Sequence, residues 1–366
     1  MAIANAEPVP TAFSRAAGNG DRSRRARLVI LLLALLLVAT ALFSLASGAS
    51  DASAAAVLGD WLAGAGTHAM SERDRIIVYD IRLPRVVMGV LVGAALAVAG
   101  TTMQGLFRNP LADPGIVGVS AGAGLGAIAM IVLGGGVLAP VAAALGIYAL
   151  PFAAFVGGLV TTTALYRIAT RRGQTSVATM LLAGIALAAL AGALAGMLIY
   201  MADDRQLRDL TFWQLGSLGG ATWTKVAAAG PVIGLALAVS LTLARGLNGL
   251  ALGEASARHL GIQVQRLKNV AIVAVAAAAG ACVAVSGGIG FIGIVVPHLL
   301  RLLIGPDHRY LLPASALLGA SLLLLADAVS RTVVVPAELP IGIVTAAVGA
   351  PFFLWILLRR RGIVDL

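Results

Sequence analysis

The chain has 366 residues, of which 60% are hydrophobic and only 11% are charged. This composition excludes an ordinary soluble domain and is typical of a protein that crosses a membrane many times. A net charge of +10 would indicate nucleic acid as a partner of a soluble protein. Here the arginines cluster at the ends of apolar runs, where they set membrane topology, so no nucleic-acid partner is predicted. The single cysteine, Cys282, excludes a disulfide framework and a cysteine-built metal site.

The N-terminus combines a polar segment with a long apolar run. Residues 1–27 are rich in Ala, Gly and Ser and end in a cluster of arginines, which predicts a disordered cytoplasmic tail. Residues 28–49 are free of charge and long enough to span a bilayer. The run could instead be a signal peptide, because the residues from Ala46 to Ala49 resemble a small-residue cleavage site. Its length favours a first span that is retained.

Further apolar runs predict nine more spans. They cover 86–107, two spans within 116–166, then 176–201, 226–244, 270–286, 291–304, 311–329 and 341–358. Gly134 to Gly136 and Pro140 supply the turn that divides 116–166. With ten spans both termini lie on one side, and the distribution of arginines places that side in the cytoplasm. The sequence thus predicts an all-α polytopic membrane protein with a single membrane domain over 28–362.

The segment 203–224 falls outside the membrane in this topology. Leu210 and Phe212 within it predict a short helix lying on the outer surface, close to the mouth of a pathway. Trp213 and Trp223 are candidate anchors at the boundary between membrane and water. A plain interfacial loop is the alternative.

Small residues recur at every fourth position of the second predicted span: Gly89, Gly93, Ala97, Thr101 and Gly105. Such spacing lets helix backbones approach closely in a membrane. It favours helix packing, and the other interpretation is a helix that lines a passage for a bulky substrate.

The stretch 246–261 is the most helix-like segment between two spans on the positive side. Ala251, Leu252, Ala255 and Leu260 predict one apolar face, and Glu254 and Arg258 are spaced to pair along a helix. Three glycines break the stretch into short pieces: Gly249, Gly253 and Gly261. A short amphipathic element of this kind suits contact with a soluble partner, whereas the alternative is a loop that only connects two spans.

The sequence holds no P-loop motif, no metalloprotease motif and no paired acid–base constellation within a span. Ion-driven transporters usually carry ionisable groups deep within their spans. The late acids Asp327 and Glu338 fall near a span end instead. The chain therefore has no evident means of driving transport itself, which indicates a separate motor on the cytoplasmic side. A proton-driven transporter working alone remains the alternative from another class.

Several motifs resemble the permeases of type II ABC importers for iron chelates, haem and vitamin B12. They are Arg82-Leu83-Pro84-Arg85, the run from Gln104 to Gly115, the run from Gly253 to Gly261, Gly290 to Gly293 with Pro297 to Arg301, and Glu338 to Gly342. The resemblance covers about residues 70–360. It implies ten helices per subunit, a homodimer with the path at its interface, two cytoplasmic ABC ATPases and a periplasmic binding protein. The implied location is the bacterial inner membrane, with ATP and Mg held by the partner subunits, so this chain is not itself an enzyme.

The resemblance also implies roles for individual residues. The ATPase-coupling residues are Gly253, Glu254, Ser256, Arg258 and Gly261; the binding-protein docking residues are Arg82, Arg85 and Arg331; and the cytoplasmic gate consists of Asn109, Leu111, Thr175 and Ser176. Simpler interpretations stay open. Arg82 and Arg85 could anchor a helix end, and Arg331 could pair with Asp327. Asn109 could form a turn, and Thr175 and Ser176 could cap a helix.

The implied cargo is haem, because residues 202–220 look most like the haem permeases of this family. A passage with an apolar lining suits a flat hydrophobic macrocycle without holding it tightly. Ferric siderophores and cobalamin are the other candidates. No metal site and no resident cofactor are predicted, and His298 is expected to be a packing residue rather than a haem ligand.

Overall fold

The computed structural model describes residues 22–47, 71–171, 174–334 and 337–359, and it is almost entirely helical. The predicted tail falls largely outside the described residues. The long helices are α1 (Ser23–Ala46), α3 (Leu83–Phe107), α4 (Val119–Leu133), α6 (Ala149–Ala169), α7 (Val177–Tyr200), α9 (Trp223–Thr242), α12 (Val264–Ser286), α13 (Ile292–Ile304), α14 (His308–Thr332) and α15 (Ile341–Arg359). Shorter helices are α2 (Glu72–Ile76), α5 (Ala139–Leu145), α8 (Asp204–Gln214), α10 (Ala244–Ala251) and α11 (Glu254–His259), and a small antiparallel hairpin joins β1 (Thr170–Arg171) to β2 (Gln174–Thr175).

Seven helical segments within the described ranges are long and apolar enough to cross a membrane. Three shorter apolar helices, α4, α13 and α15, complete the set. Each of the ten predicted spans coincides with one of these segments. The all-α membrane fold is therefore confirmed. The count of ten passages stays a prediction, because the three shorter helices fall below or at the limit of a full bilayer crossing.

Several helices begin before the predicted spans; α12, for example, begins at Val264 rather than at 270. The first span was expected to begin at Leu28, but α1 begins at Ser23 and includes the arginines before the apolar run. The second was expected to begin at Val86. Instead Ser71 caps α2, which continues through a π-helical turn, Ile77–Arg82, into α3. Bilayer thickness locates the apolar part of a helix, whereas charged residues with good helix propensity extend the helix into the headgroup region and beyond.

The stripe of small residues on α3 packs against α14. A Cβ at Gly93 would lie 2.5 Å from the carbonyl oxygen of Gly319, and the hydroxyls of Thr101 and Ser315 are hydrogen bonded at 2.8 Å. The predicted helix packing is confirmed, and this face of α3 is closed. Gly122 and Gly126 of α4 meet α6 in the same manner. At both contacts, small residues let the helix backbones approach closely.

We predict that Gly93→Ala destabilises the protein by about 1–3 kcal/mol, because the new methyl group meets the backbone of Gly319 and Ala320 rather than a flexible side chain. Thermal unfolding of the purified protein in detergent measures the effect. Gly234→Ala is the matched control, since no atom lies within 4 Å of a Cβ at that helical glycine. Equal unfolding midpoints for the two variants would show that the α3–α14 contact is not tight.

Candidate functional site

The predicted amphipathic stretch forms two helices, α10 and α11, at one end of the bundle. Gly253 separates them with a φ of 101°, and Gly261 ends the second with a φ of 77°. Both conformations favour glycine. The predicted break at Gly249 is wrong: Gly249 lies inside α10, and the side chain of Ile262 packs against it. Glycine is needed at 249 for close approach and not for a turn.

The α10–α11 pair buries one side and exposes another. Leu247, Leu250 and Ala257 are buried in the core that α3 and α12 share. Leu252 is 67% exposed and Leu260 is 64% exposed. The predicted apolar face therefore exists, and it faces away from the bundle. We call Leu252, Leu260 and the exposed small residues beside them, Ala251 and Ala255, the α10–α11 surface.

Glu254 holds α11 to the bundle. Its carboxylate accepts a hydrogen bond from Nζ of Lys268 at 2.7 Å, and it lies 3.6 Å from the guanidinium of Arg258. The predicted pairing of Glu254 with Arg258 is confirmed. Lys268 is buried on α12 and was missed, although a lysine at the start of an apolar helix signals a need for a nearby carboxylate. This ion pair thus links α11 to α12.

The predicted gate residues lie near this same end and make local hydrogen bonds. Asn109 Oδ1 accepts from the backbone N–H of Leu111 at 2.9 Å, and Ser176 Oγ accepts from the N–H of Thr179 at 3.3 Å. The turn and the helix cap are therefore confirmed. Thr175 belongs to β2, directly before that cap. Leu111 is exposed, so the gate role stays a prediction for these residues.

At the opposite end, Arg85 binds two carboxylates inside the protein. Its Nε donates to both oxygens of Asp327 at 3.0 and 3.1 Å. Its terminal nitrogens donate to the two oxygens of Glu338, each at 2.9 Å. Asp327 is fully buried, whereas the Glu338 side chain is 45% exposed. The network thus connects the core of α14 to the surface loop before α15.

Arg82 and Arg331 complete this network by binding the C-terminus of α1. Arg82 Nη1 donates to the carbonyl of Leu45 at 2.7 Å, and Arg331 donates to Ser44 Oγ and to the carbonyl of Ser47, each at 2.9 Å. The last carbonyls of a helix have no partner within the helix, so cationic donors stabilise its end. Arg331 Nε also lies 3.1 Å from Asp327, which confirms the internal pair. The docking role of these arginines stays a prediction.

Glu338, in the loop before α15, is expected to make the stability that this network contributes depend on pH. Hydrogen bonds from Arg85 lower the pKa of Glu338 below its usual 4.5. Its contribution to stability is therefore complete above pH 4.5 and is lost as the pH falls through the lowered pKa. We predict that Glu338→Gln lowers the unfolding temperature at pH 7, and that the difference from the wild type shrinks as the pH falls below 4.5. A difference that is constant with pH would contradict this assignment.

The short helix predicted within 203–224 is confirmed as α8, whereas its position on the outer surface stays a prediction. Asp203 caps it in a reciprocal capping box with Gln206, and Gln206 Nε2 also donates to the carbonyl of Val132 at the end of α4. The Trp223 indole donates to the carbonyl of Tyr79 at 2.9 Å. Where α8 ends, an open pocket of about 650 Å³ lies between Gln214, Phe291, Gly342 and Ala346. Its walls are mostly apolar and small.

No group of three or more His, Cys, Asp or Glu in the described ranges could hold a metal ion. His298 is buried on α13, and its ring lies edge-on to Phe352 with centroids 6.4 Å apart. The described residues thus place its ring in a packing contact.

The described part of the chain is an all-α bundle of apolar helices that exposes an amphipathic helix pair between two spans. Residues 16–359 match the FecCD transport family, and the chain belongs to this family. It is a permease component of the ABC transporter class.

Curated relatives are similar over most of their length. The hemin transport system permease protein HmuU of Yersinia pestis is 49% identical over 282 residues, covering 77% of this chain and 83% of the relative. The vitamin B12 import system permease protein BtuC of Shigella boydii is 46% identical over 304 residues, covering 83% and 88%. A solved metal-chelate type ABC transporter in an inward-facing conformation is 32% identical with a TM-score of 0.78, covering 91% of this chain and 99% of that one.

Proposed function

We propose that this chain is the permease of an ATP-driven importer that carries haem from the periplasm to the cytoplasm. It works as a homodimer in the bacterial inner membrane, with both termini in the cytoplasm. Two cytoplasmic ABC ATPases bind the α10–α11 surface, and a periplasmic binding protein delivers the cargo at the opposite end. The observation that carries the proposal is this surface, where Leu252 and Leu260 lie exposed on helices that are anchored to the core.

Coupling follows from the way α11 is held. The ATPase presses on Leu252, Leu260 and the residues from Gly253 to Gly261. The pair between Glu254 and Lys268 passes the displacement to α12, and the buried Leu247 and Leu250 pass it to the core. Asn109, Leu111, Thr175 and Ser176 lie near this end, where their movement opens the inner gate. ATP and Mg are bound by the partner subunits.

The dimer interface is proposed to include α7. This helix packs against α4 and α6, and large apolar side chains cover its remaining face: Leu182, Ile185, Leu190 and Met197. A pocket of about 320 Å³ between α4 and α7 is lined by small residues such as Gly124 and Gly192. A second copy placed on this face would enclose an apolar passage between the two subunits.

Docking of the binding protein is proposed around Arg82, Arg85 and Arg331. All three guanidiniums have partners within the chain. Glu338 is the exposed member of the network, so a carboxylate of the binding protein gains access to Arg85 by replacing Glu338. The docking would then weaken at high salt, because it exchanges one ion pair for another at a surface.

Haem is the proposed cargo. The similarity to the hemin permease supports it, and so do the apolar walls of the pocket at the end of α8. Cobalamin is the second candidate, because permeases named for cobalamin and vitamin B12 are 45–46% identical. The experiment is to purify the cognate binding protein and identify its ligand by absorption and mass spectrometry. Bound haem supports the proposal, whereas a bound corrinoid or ferric chelate would replace haem as the cargo.

A further inference from the structure

A second polar feature lies beside the α10–α11 surface, at the corner where α9 ends and α14 begins. An open pocket of about 640 Å³ there is lined by Thr242, Arg245, His308 and Arg309, with Leu241 and Pro313 at its edge. None of its lining residues belongs to the α10–α11 surface.

The two arginines of this pocket form no ion pair within the part of the chain that the structure describes. Both of them, Arg245 and Arg309, are exposed. The neighbouring acid is Asp307, whose Oδ1 already accepts from Asn248 Nδ2 at 2.6 Å and from the backbone N–H of Arg309 at 2.9 Å. The pocket therefore presents two guanidiniums that are free to bind an anion.

The position of the pocket sets the kind of anion. Thr242 is the last residue of the span α9, and His308 is the first residue of the span α14. Both span ends lie where the hydrocarbon core meets the headgroups. Leu241, which is 44% exposed, and Pro313 lie on the membrane side of the arginines. A molecule in this pocket thus meets apolar side chains on one side and two guanidiniums on the other.

We infer that this pocket is a binding site for the phosphate of an anionic phospholipid headgroup. Guanidinium groups bind phosphate oxygens through paired, charge-assisted hydrogen bonds. The acyl chains of the lipid lie along Leu241 and Pro313, as the span ends require. Since α9 leads directly into α10, the bound lipid fixes the helix corner from which the α10–α11 surface extends.

Native mass spectrometry of the purified chain in neutral detergent tests the site. Phosphatidylglycerol and phosphatidylcholine with the same acyl chains are titrated separately, and inorganic phosphate is added in a third arm. We expect a preference for phosphatidylglycerol that Arg245→Gln with Arg309→Gln reduces on the order of tenfold. Binding of phosphatidylcholine should not change, and millimolar phosphate should not displace the lipid.

Arg171→Gln is the matched control, an exposed arginine outside the pocket, and the lysine variants Arg245→Lys and Arg309→Lys should retain an intermediate preference. Unfolding temperatures show that each variant is folded. The inference is overturned if the glutamine variants keep the wild-type preference, or if Arg171→Gln reduces it equally. Displacement by inorganic phosphate alone would also overturn it, because the site would then hold a free anion. This experiment does not measure transport, so a negative result would leave the proposed function unaffected.

Discussion

Replacing Asp327 with asparagine is expected to destabilise the fold by about 3–5 kcal/mol. Asp327 is fully buried and provides the counter-charge for two buried guanidiniums, those of Arg85 and Arg331. Asparagine has nearly the same shape but no charge, so the buried Arg331 would lose its carboxylate partner and Arg85 would retain only Glu338. Equilibrium unfolding of the purified protein in mixed micelles measures the loss.

Glu338→Gln is the matched control, because it removes the exposed carboxylate that binds the same arginine. Its effect at neutral pH should be much smaller, since water solvates the exposed side of the loop. If the two variants unfold alike, the buried pair does not hold α3, α14 and the end of α1 together as described. If Asp327→Asn also loosens the packing of α1 while α7 is unaffected, the result would agree with the hydrogen bonds from Arg82 and Arg331 to the end of α1.

The second large effect is expected at the α10–α11 surface. Leu252→Asp with Leu260→Asp should abolish stable binding of the cognate ATPase subunits and with it ATP-dependent transport. Both leucines are exposed, so the aspartates are solvated in the isolated permease and its stability should change little. In the complex, the same aspartates would be buried against the ATPase without a partner. Co-purification of the permease with its ATPase measures the effect.

Val137→Asp is the matched control, an exposed apolar residue in the loop between α4 and α5 at the other end of the bundle. It should leave ATPase binding intact. A permease that carries both surface aspartates and still retains its ATPase would exclude this surface as the coupling site. Loss of binding in the Val137 variant would show that the assay reports general instability.

Apolar runs were sufficient to locate the spans, because a bilayer imposes a minimum length on each. The apolar runs did not locate the charged ends of the helices, since the helix through Arg82 continues far beyond the hydrocarbon core. Local signals were equally dependable: Asn109 forms its turn, Ser176 forms its cap and Asp203 forms its capping box. Each of these depends on residues within four positions along the chain.

Contacts between residues that are far apart along the chain could not be predicted from the sequence. The sequence allowed Asp327 and Arg331 to be proposed as a pair, because they lie four residues apart on one helix. Nothing in one sequence connects Arg85 to Asp327 or Lys268 to Glu254, because those pairs arise only when helices pack. Gly249 shows the same limit. A glycine required for close approach cannot be distinguished from one required for a turn until the neighbouring side chain of Ile262 is placed.

The most direct test of the account is transport by the reconstituted complex. The chain is inserted into liposomes with its cognate ATPase inside, and the loaded binding protein is added outside. Haem should accumulate in the lumen only when ATP and all three components are present, and a pH gradient alone should drive nothing. Accumulation driven by a pH gradient in liposomes that contain this chain without the ATPase would contradict the account.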